Sequence, residues 1–154
     1  MADPFRSSRL IYRALEPEDD EAFILTIQQD PVSFRNANAN LAVPQSKKSA
    51  KDYIKWMTEN TIIAVIMCLP PPEPAGKAIP IGCIHLGRQA PHLAQHRNAD
   101  IGIEIVKPYQ GQGYGSEAIR WILEWAFVTA GLHRVAIGAF ECVLLQLQQI
   151  MTFC

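Results

Sequence analysis

The sequence contains no stretch that approaches the roughly 20 consecutive apolar residues required by a membrane-spanning helix. Its apolar segment Ile62–Leu69 is far too short for that purpose. No apolar run follows the N-terminal residues Met1–Arg6, so the sequence predicts no secretory signal. These absences predict a cytoplasmic protein that has no membrane partner.

Cysteine is scarce, and the spacing of the four cysteines matches no zinc motif; they are Cys68, Cys83, Cys142 and Cys154. We expect them to be reduced and to act as small buried hydrophobic side chains. The histidines also lack an identifiable metal ligand set or catalytic triad; His92 and His96 are predicted in a loop, and His85 and His133 at strand borders. The sequence therefore predicts no metal site.

An excess of charge of one sign is missing as well. The 14 Lys and Arg residues nearly balance the 15 Asp and Glu residues, which gives a net charge of −1. Proteins that bind nucleic acid need clustered basic residues that release counterions from the phosphates. The balance therefore argues against nucleic acid as the main partner.

The hydrophobic patterning predicts one domain with the element order strand, helix, helix, three strands, helix, strand. The predicted strands are Ser8–Leu15, Thr61–Leu69, Ala78–Leu86, Asn98–Val106 and His133–Phe140. The first predicted helix begins at Glu16–Asp20 and ends at Pro31, and the second spans Ala50–Asn60 after a Ser46 or Ser49 cap. The third predicted helix spans Ser116–Ala130, with Phe127 on its apolar face and Gly131 at its C-terminal end. Ser33–Ser46 is predicted as a loop. Three successive strands favour an antiparallel meander, and the last strand–helix–strand unit favours one parallel crossover. The predicted fold class is therefore α+β, a mixed and mostly antiparallel sheet with flanking helices.

A glycine-rich turn joins the fourth strand to the last helix and is the most informative feature of the sequence. It reads Gln110-Gly111-Gln112-Gly113-Tyr114-Gly115 and leads into Ser116. Glycines allow the backbone to approach a ligand, and the free N–H groups at a helix start attract anions. The turn therefore predicts a phosphate or pyrophosphate site that needs no metal.

Two other nucleotide-binding motifs fit this turn less well. The Walker A motif requires a Lys after the glycines, and none is present. A dinucleotide-binding fingerprint would use Gly111, Gly113 and Ser116, with Glu141 as its acid. That fingerprint usually follows the first strand of a fold, whereas about a hundred residues precede this turn.

The turn, with its flanking elements, resembles the central motif of the GCN5-related N-acetyltransferase (GNAT) family, Gln/Arg-x-x-Gly-x-Gly/Ala. The resemblance extends over the element order from Ser8 to about Glu141, and the layout is similar to the branch of ribosomal-protein alanine acetyltransferases and small-amine acetyltransferases. It implies an acyl-CoA N-acyltransferase-like fold, acetyl-CoA as co-substrate, and a primary amine on a protein N-terminus or a small molecule as acceptor.

The resemblance also implies a role for each residue of the site. The CoA pyrophosphate would be held by the turn and the helix start, that is by Gln110, Gly111, Gln112, Gly113, Tyr114, Gly115 and Ser116. The backbone of Ile103 and Ile105 would pair with the pantetheine arm where the fourth and fifth strands splay apart. A backbone N–H near Ile103 or Glu104 would stabilise the developing oxyanion.

The chemistry of the acceptor calls for a base, because a lysine-like amine with a pKa of about 10.4 is almost entirely protonated at pH 7. Asp100, Gly102 and Glu104 share one face of the fourth strand. Glu104 lies nearest the expected thioester and is the candidate base, with Asp100 in reserve. The alternative is that both carboxylates lie on a solvated strand face.

The C-terminal residues depart from the pattern of the family. The family continues with a helix that carries a tyrosine, the usual general acid, and with two more strands. Residues 142–154 contain no tyrosine, asparagine or glycine. We expect a single domain over residues 1–154 that lacks these elements, with an atypical tail derived from truncation or altered splicing. The exposed edge that this leaves on the fifth strand predicts self-association. The loss of the general acid and of one wall of the acceptor site predicts impaired activity.

The function predicted from the sequence is transfer of an acetyl group from acetyl-CoA to a primary amine. One alternative is a non-catalytic module of the same fold that binds CoA. Another is a nucleotide-binding domain of a different class.

Overall fold

The computed structural model describes residues 3–38 and 40–138. Five strands form one sheet: β1 (Ile11–Ala14), β2 (Thr61–Leu69), β3 (Ile79–Gly87), β4 (Asn98–Ile105) and β5 (Arg134–Ile137). Four α-helices flank it: α1 (Glu21–Gln29), α2 (Pro31–Ala37), α3 (Lys47–Asn60) and α4 (Tyr114–Glu124). Short 3₁₀ turns cover Pro91–His96 and Lys107–Tyr109, and a π-helical turn, Trp125–Thr129, continues α4.

The strands follow one another across the sheet in chain order. The pairs from β1 to β4 are antiparallel, and β5 joins β4 in parallel. This arrangement confirms the predicted meander, the parallel crossover through α4 and the mixed sheet.

The sheet is covered on both faces. On one face α4 packs through Ala118, Ile119, Trp121 and Ile122 on Ile84, Leu86, Ala99 and Ile101 of the sheet. On the other face α1 and α3 pack through Ile24, Ile27, Ala50, Ile54 and Met57 on Ile66, Cys68 and Cys83. Burial of Cys68 and Cys83 confirms the expectation for these two cysteines. Cys142 and Cys154 lie outside the described residues.

The first helix begins later than predicted because the side chain of Asp20 is engaged in other contacts. Its carboxylate accepts two hydrogen bonds from the Arg13 guanidinium, at 2.7 and 2.8 Å, and one from the Glu16 backbone N–H. Residues 16–20 therefore form a turn held to β1, and α1 starts at Glu21. Pro17 lies in this turn and is not the first helical residue.

The segment predicted as the loop Ser33–Ser46 is helical in its first part. Asp30 caps α2 by accepting from the Val32 N–H, and Pro31 occupies the first turn, where a missing N–H costs nothing. Pro31 therefore ends α1, as predicted, and also starts α2. The Ser46 cap of α3 is confirmed, with Ser49 completing the capping box.

The last helix starts at Tyr114, two residues earlier than predicted. Its final turn is π-helical, because the Ala130 N–H donates to the carbonyl of Trp125, five residues back. The wider turn carries Phe127 to the surface, where 46% of its area is exposed, although the sequence predicted it on the apolar face. Gly131 has a positive φ of 63° and ends the element as predicted.

Residues 139–154 lie outside the described part of the chain, so the predicted end of the last strand at Phe140 and the tail 142–154 do too. The single-domain boundary at residue 154 therefore stays a prediction. Among the described residues, no helix has the length and apolar character needed to cross a bilayer.

Candidate functional site

The glycine-rich turn between β4 and α4 is shaped by two left-handed residues. Gly111 has φ +72° and Gly113 has φ +82°. A side chain in this region is strained, because Cβ crowds the following carbonyl. Gly113 is also the N-cap of α4 and contributes no side chain to the cap. The alternation of conformations turns successive N–H groups toward one side, which is the geometry of an anion-binding nest.

The backbone amides of this turn are free to bind a ligand. Within the described part of the chain, the N–H groups of residues 111–116 donate to no acceptor, whereas the next amide, that of Glu117, donates to the Gly113 carbonyl. Three of these amides belong to the first turn of α4, where the helix dipole adds to the attraction for an anion. The side chain of Gln112 folds back onto the Pro108 carbonyl at 2.9 Å and leaves the amides open.

Gln110 fastens the turn to the elements on either side of it. Its Nε2 donates to the Ile105 carbonyl at 2.7 Å and to the Ser33 hydroxyl at 3.0 Å. Its side chain is thus committed to β4 and α2 and positions the turn.

The segment before β1 also supports the glycine-rich turn, and the sequence did not predict this contact. The Arg9 guanidinium donates to Glu117 at 2.7 Å and to the Gln112 carbonyl at 3.1 Å, and it stacks over the Tyr114 ring at 4.6 Å. Ser7 donates to the same carboxylate at 2.7 Å. These bonds hold the pKa of Glu117 below its ordinary value against the opposing effect of burial. Arg9 and Glu117 lie 108 residues apart in the sequence, so no local sequence pattern indicates their contact.

Next to this turn, one edge of β4 has no partner strand in the part of the chain that the structure describes. The parallel pairing with β5 covers only Asn98–Ile101, opposite Arg134–Ile137. On its other side β4 pairs with β3 from Asp100 to Ile105. Within the described residues, the last four residues of β4 therefore have a strand on one side only.

The hydrogen bonds between β3 and β4 show which backbone groups of β4 point away from β3. The Val106 N–H donates to the Ile81 carbonyl, so even-numbered residues form the hydrogen-bonded pairs with β3. The N–H and C=O of Ile103 and Ile105 then point away from β3, and the Ile105 carbonyl is the one that Gln110 contacts. The N–H of Glu104 points into the ladder. Of the two amides considered for an oxyanion, that of Ile103 faces the gap.

Glu104 is buried, with 8% of its area exposed, so it does not lie on a solvated face. One oxygen accepts a long hydrogen bond of 3.4 Å from Asn38 at the end of α2, and the other oxygen has no partner among the residues that the structure describes. Burial raises the pKa of this carboxyl from 4.5 to about 7, and the Asn38 bond lowers it slightly. An unpartnered buried acceptor costs about 1–3 kcal/mol, so this placement of Glu104 lowers the stability of the fold.

His85 lies inside β3 and not at a strand border as predicted. It pairs with Gly102, and a Cβ built on Gly102 would overlap the imidazole, so only glycine lets the ring lie flat on β4. Burial lowers the pKa of His85 to about 4, and its Nδ1 has no hydrogen-bond partner in the described part of the chain. Trp56 of α3 contacts the ring edge-on, with 5.3 Å between centroids. The imidazole is therefore neutral near pH 7.

The remaining candidates are separated from this buried group. Asp100 is exposed and accepts a bond from Gln89 at 3.4 Å. Tyr114, Gly115 and Ser116 form the first turn of α4. No group of three or more His, Cys, Asp or Glu residues suited to a metal occurs within residues 3–38 and 40–138.

In a comparison with known protein families, residues 9–141 match the family model described as acetyltransferase (GNAT) domain. The match covers most of the chain and includes β4, the glycine-rich turn and α4. Among curated proteins, none matches this chain significantly.

Several solved structures share the fold. A spermidine N-acetyltransferase from Vibrio cholerae, in complex with CoA and spermine, has a TM-score of 0.74 at 20% identity over 96% of this chain and 80% of that one. A GNAT-family acetyltransferase from Bacillus anthracis has a TM-score of 0.66 at 19% identity over 86% and 71%. A V. cholerae protein assigned as a ribosomal-protein-serine acetyltransferase has a TM-score of 0.65 at 18% identity over 97% and 80%.

Proposed function

The chain belongs to the GNAT acetyltransferase family, and from that premise we propose that it transfers the acetyl group of acetyl-CoA to a primary amine, with Glu104 as the base. The observation that carries the proposal is the juxtaposition of three features at the end of β4. These are the unpartnered amides of residues 111–116, the open backbone edge at Ile103 and Ile105, and the buried carboxyl of Glu104.

The free amides fit a diphosphate. They lie at a helix start beside two left-handed glycines, a setting that suits a ligand with several anionic oxygens and requires no metal. The open edge of β4 fits an extended amide-containing arm, which can add to it as a further strand does. Gln110, Gln112 and Tyr114 shape the turn through their side chains, and the backbone N–H groups from Gly111 to Ser116 hold the diphosphate.

Acetyl-CoA supplies an acyl group that is activated as a thioester. Glu104 accepts the proton that the amine nitrogen loses as its bond to the acyl carbon forms and the carbon–sulfur bond breaks. A base with a pKa near 7 is half ionised at neutral pH and is therefore matched to this task. The Ile103 N–H, which faces the gap, donates to the carbonyl oxygen as negative charge develops on it.

The acceptor is a small amine or the amine of a protein. One similar protein was solved in complex with CoA and spermine, and another is assigned as a ribosomal-protein-serine acetyltransferase. The fold is therefore compatible with small-molecule and protein acceptors. We further propose that the outer edge of β5, which no strand covers within the described residues, mediates self-association.

Titration of acetyl-CoA into the full chain, followed by detection of free CoA thiol with a panel of amines, tests the proposal. We expect binding with one site per chain and release of CoA with at least one primary amine. Gly113→Ala provides a matched control that disturbs the turn and leaves Glu104 in place. An intact fold with no affinity for acetyl-CoA would refute the proposal.

The same experiment separates the alternatives. Tight binding with no acetylated product from any amine would favour a non-catalytic module that binds CoA. Binding of NAD or ATP in place of acetyl-CoA would favour a nucleotide-binding domain of another class.

A further inference from the structure

Two hydrogen-bond acceptors lie buried and unused on one face of the sheet. They are Oε2 of Glu104 and Nδ1 of His85, and neither has a partner among the described residues. Both residues are more than nine-tenths buried. Buried polar atoms in native proteins are nearly always paired, so two unpaired acceptors in one place call for a partner beyond the described residues, and a bound ligand can supply it.

The two side chains are neighbours across the ladder between β3 and β4. Glu104 pairs with Cys83, and His85 follows two residues later, opposite Gly102. Such diagonal positions place their Cα atoms about 7–8 Å apart on the same face, within reach of long side chains. Since Gly102 has no side chain, the imidazole lies against β4 beside Glu104.

The surroundings of this pair are aromatic and neutral. Trp56 contacts the imidazole edge-on, and Tyr53 stacks parallel to Trp56 with 6.0 Å between ring centroids. Both come from α3 and cover this face. In the Nε2-protonated tautomer, which is neutral, the Nδ1 atom of His85 can only accept a hydrogen bond. This face of the sheet thus presents two hydrogen-bond acceptors, Glu104 Oε2 and His85 Nδ1. A small group with two N–H or O–H hydrogens could pair with both.

We propose that Nδ1 of His85 and Oε2 of Glu104 together hold the amino group of the acceptor, which makes His85 an acceptor-binding residue and selects primary over secondary amines. This rests on the proposed acetyltransferase function. A neutral primary amine donates one N–H to each atom and keeps its lone pair for the acyl carbon. A secondary amine has a single N–H and leaves one acceptor unpaired.

The end of α2 contacts the pair through Asn38. Asn38 covers the other oxygen of Glu104 with a bond of 3.4 Å and is followed by the exposed residues 40–44. A bond this long is readily exchanged for a shorter one to an amine.

Nitrogen NMR on the ¹⁵N-histidine-labelled full chain with CoA bound tests the inference without requiring turnover. The probes are n-butylamine and its secondary isomer N-methylpropylamine, which have the same atoms, added at about pH 10, where a large share of each amine is neutral. We expect the His85 Nδ1 resonance to shift with n-butylamine and to stay in place with the isomer. Equal shifts with both probes, or none with either, would overturn the proposal.

Two variants separate binding from packing. His85→Phe keeps a ring over Gly102 and against Trp56 but removes the acceptor, so we expect affinity for n-butylamine to fall about tenfold while affinity for acetyl-CoA changes less than twofold. His85→Asn places an amide oxygen near the former Nδ1 and should restore most of the loss. Unchanged amine affinity in His85→Phe would show that the histidine only packs. Failure of the proposed function appears separately, as absence of acetyl-CoA binding to the unmodified chain.

Discussion

Replacement of Glu104 by Gln is expected to stabilise the folded protein at alkaline pH while it abolishes most of the activity. Burial raises the pKa of this carboxyl from 4.5 to about 7, so the folded state resists its ionisation. Between these two pH values the folded chain binds a proton that the unfolded chain has released. The stability linked to this group is therefore fully present below about pH 4.5 and is lost as the pH rises through about 7.

The size of the effect follows from the pKa difference. A rise from 4.5 to about 7 corresponds to about 3 kcal/mol between the two protonation states. About 2–3 kcal/mol of this develops between pH 5 and pH 8, because the carboxyl is largely protonated in the folded state at the lower value. Gln has nearly the same shape and never ionises, so the variant is free of this penalty.

The measurement is denaturant unfolding of both proteins at pH 5, 6, 7 and 8. We expect the free energy of unfolding of Glu104→Gln to gain about 2–3 kcal/mol relative to the unmodified chain from pH 5 to pH 8. For a domain of this size that equals a relative rise in Tm of roughly 5–10 °C. In the same variant, kcat/KM should fall by about 10²–10⁴-fold.

Glu117→Gln is the matched control. The hydrogen bonds and charge of Ser7 and Arg9 hold the pKa of Glu117 below its ordinary value. The stability that this group contributes is present above its unfolded pKa and is lost only as the pH falls through its folded pKa. Its difference from the unmodified chain should thus be flat from pH 5 to pH 8. A flat profile for Glu104→Gln as well would refute the reasoning, since it would mean that Glu104 is solvated in the folded protein.

Three further predictions concern the turn and the sheet edge. Gly113→Ala places a side chain on a residue with φ +82°, so we expect the free energy of unfolding to fall by about 1–2 kcal/mol. Calorimetry should show at least tenfold weaker binding of acetyl-CoA. Gly115 does not have a positive φ, so Gly115→Ala should change the stability less. Gln110→Ala removes the bonds to Ser33 and Ile105, which should lower stability by about 1–2 kcal/mol and raise the dissociation constant of acetyl-CoA; an unchanged constant would show that the turn holds its shape without them. If the outer edge of β5 mediates self-association, light scattering over a dilution series should detect dimers or larger species. A monomeric mass at micromolar concentration would contradict this.

Much of the fold could be predicted from local patterns. The strand Thr61–Leu69 was predicted with its observed bounds, because nine consecutive apolar and β-branched residues lie between an Asn and a run of prolines. The errors in predicting the helices arose where the local sequence pattern does not show the deciding interaction. Asp20 was predicted among the acids of a first helical turn, but its tertiary bond to Arg13 delays the helix. The π-helical turn at Trp125 gives no sequence signal and reverses the exposure of Phe127.

The sequence by itself determined the glycine-rich turn, its position between a strand and a helix, and Glu104 as a candidate base, because spacing of three to six residues places these groups through local geometry alone. Only the tertiary structure decided the environment of that carboxyl, the placement of His85 over Gly102, and the support of the turn by Arg9. These depend on contacts between residues that lie far apart in the chain, and burial in a particular pairing of strands and helices is a property of no single segment.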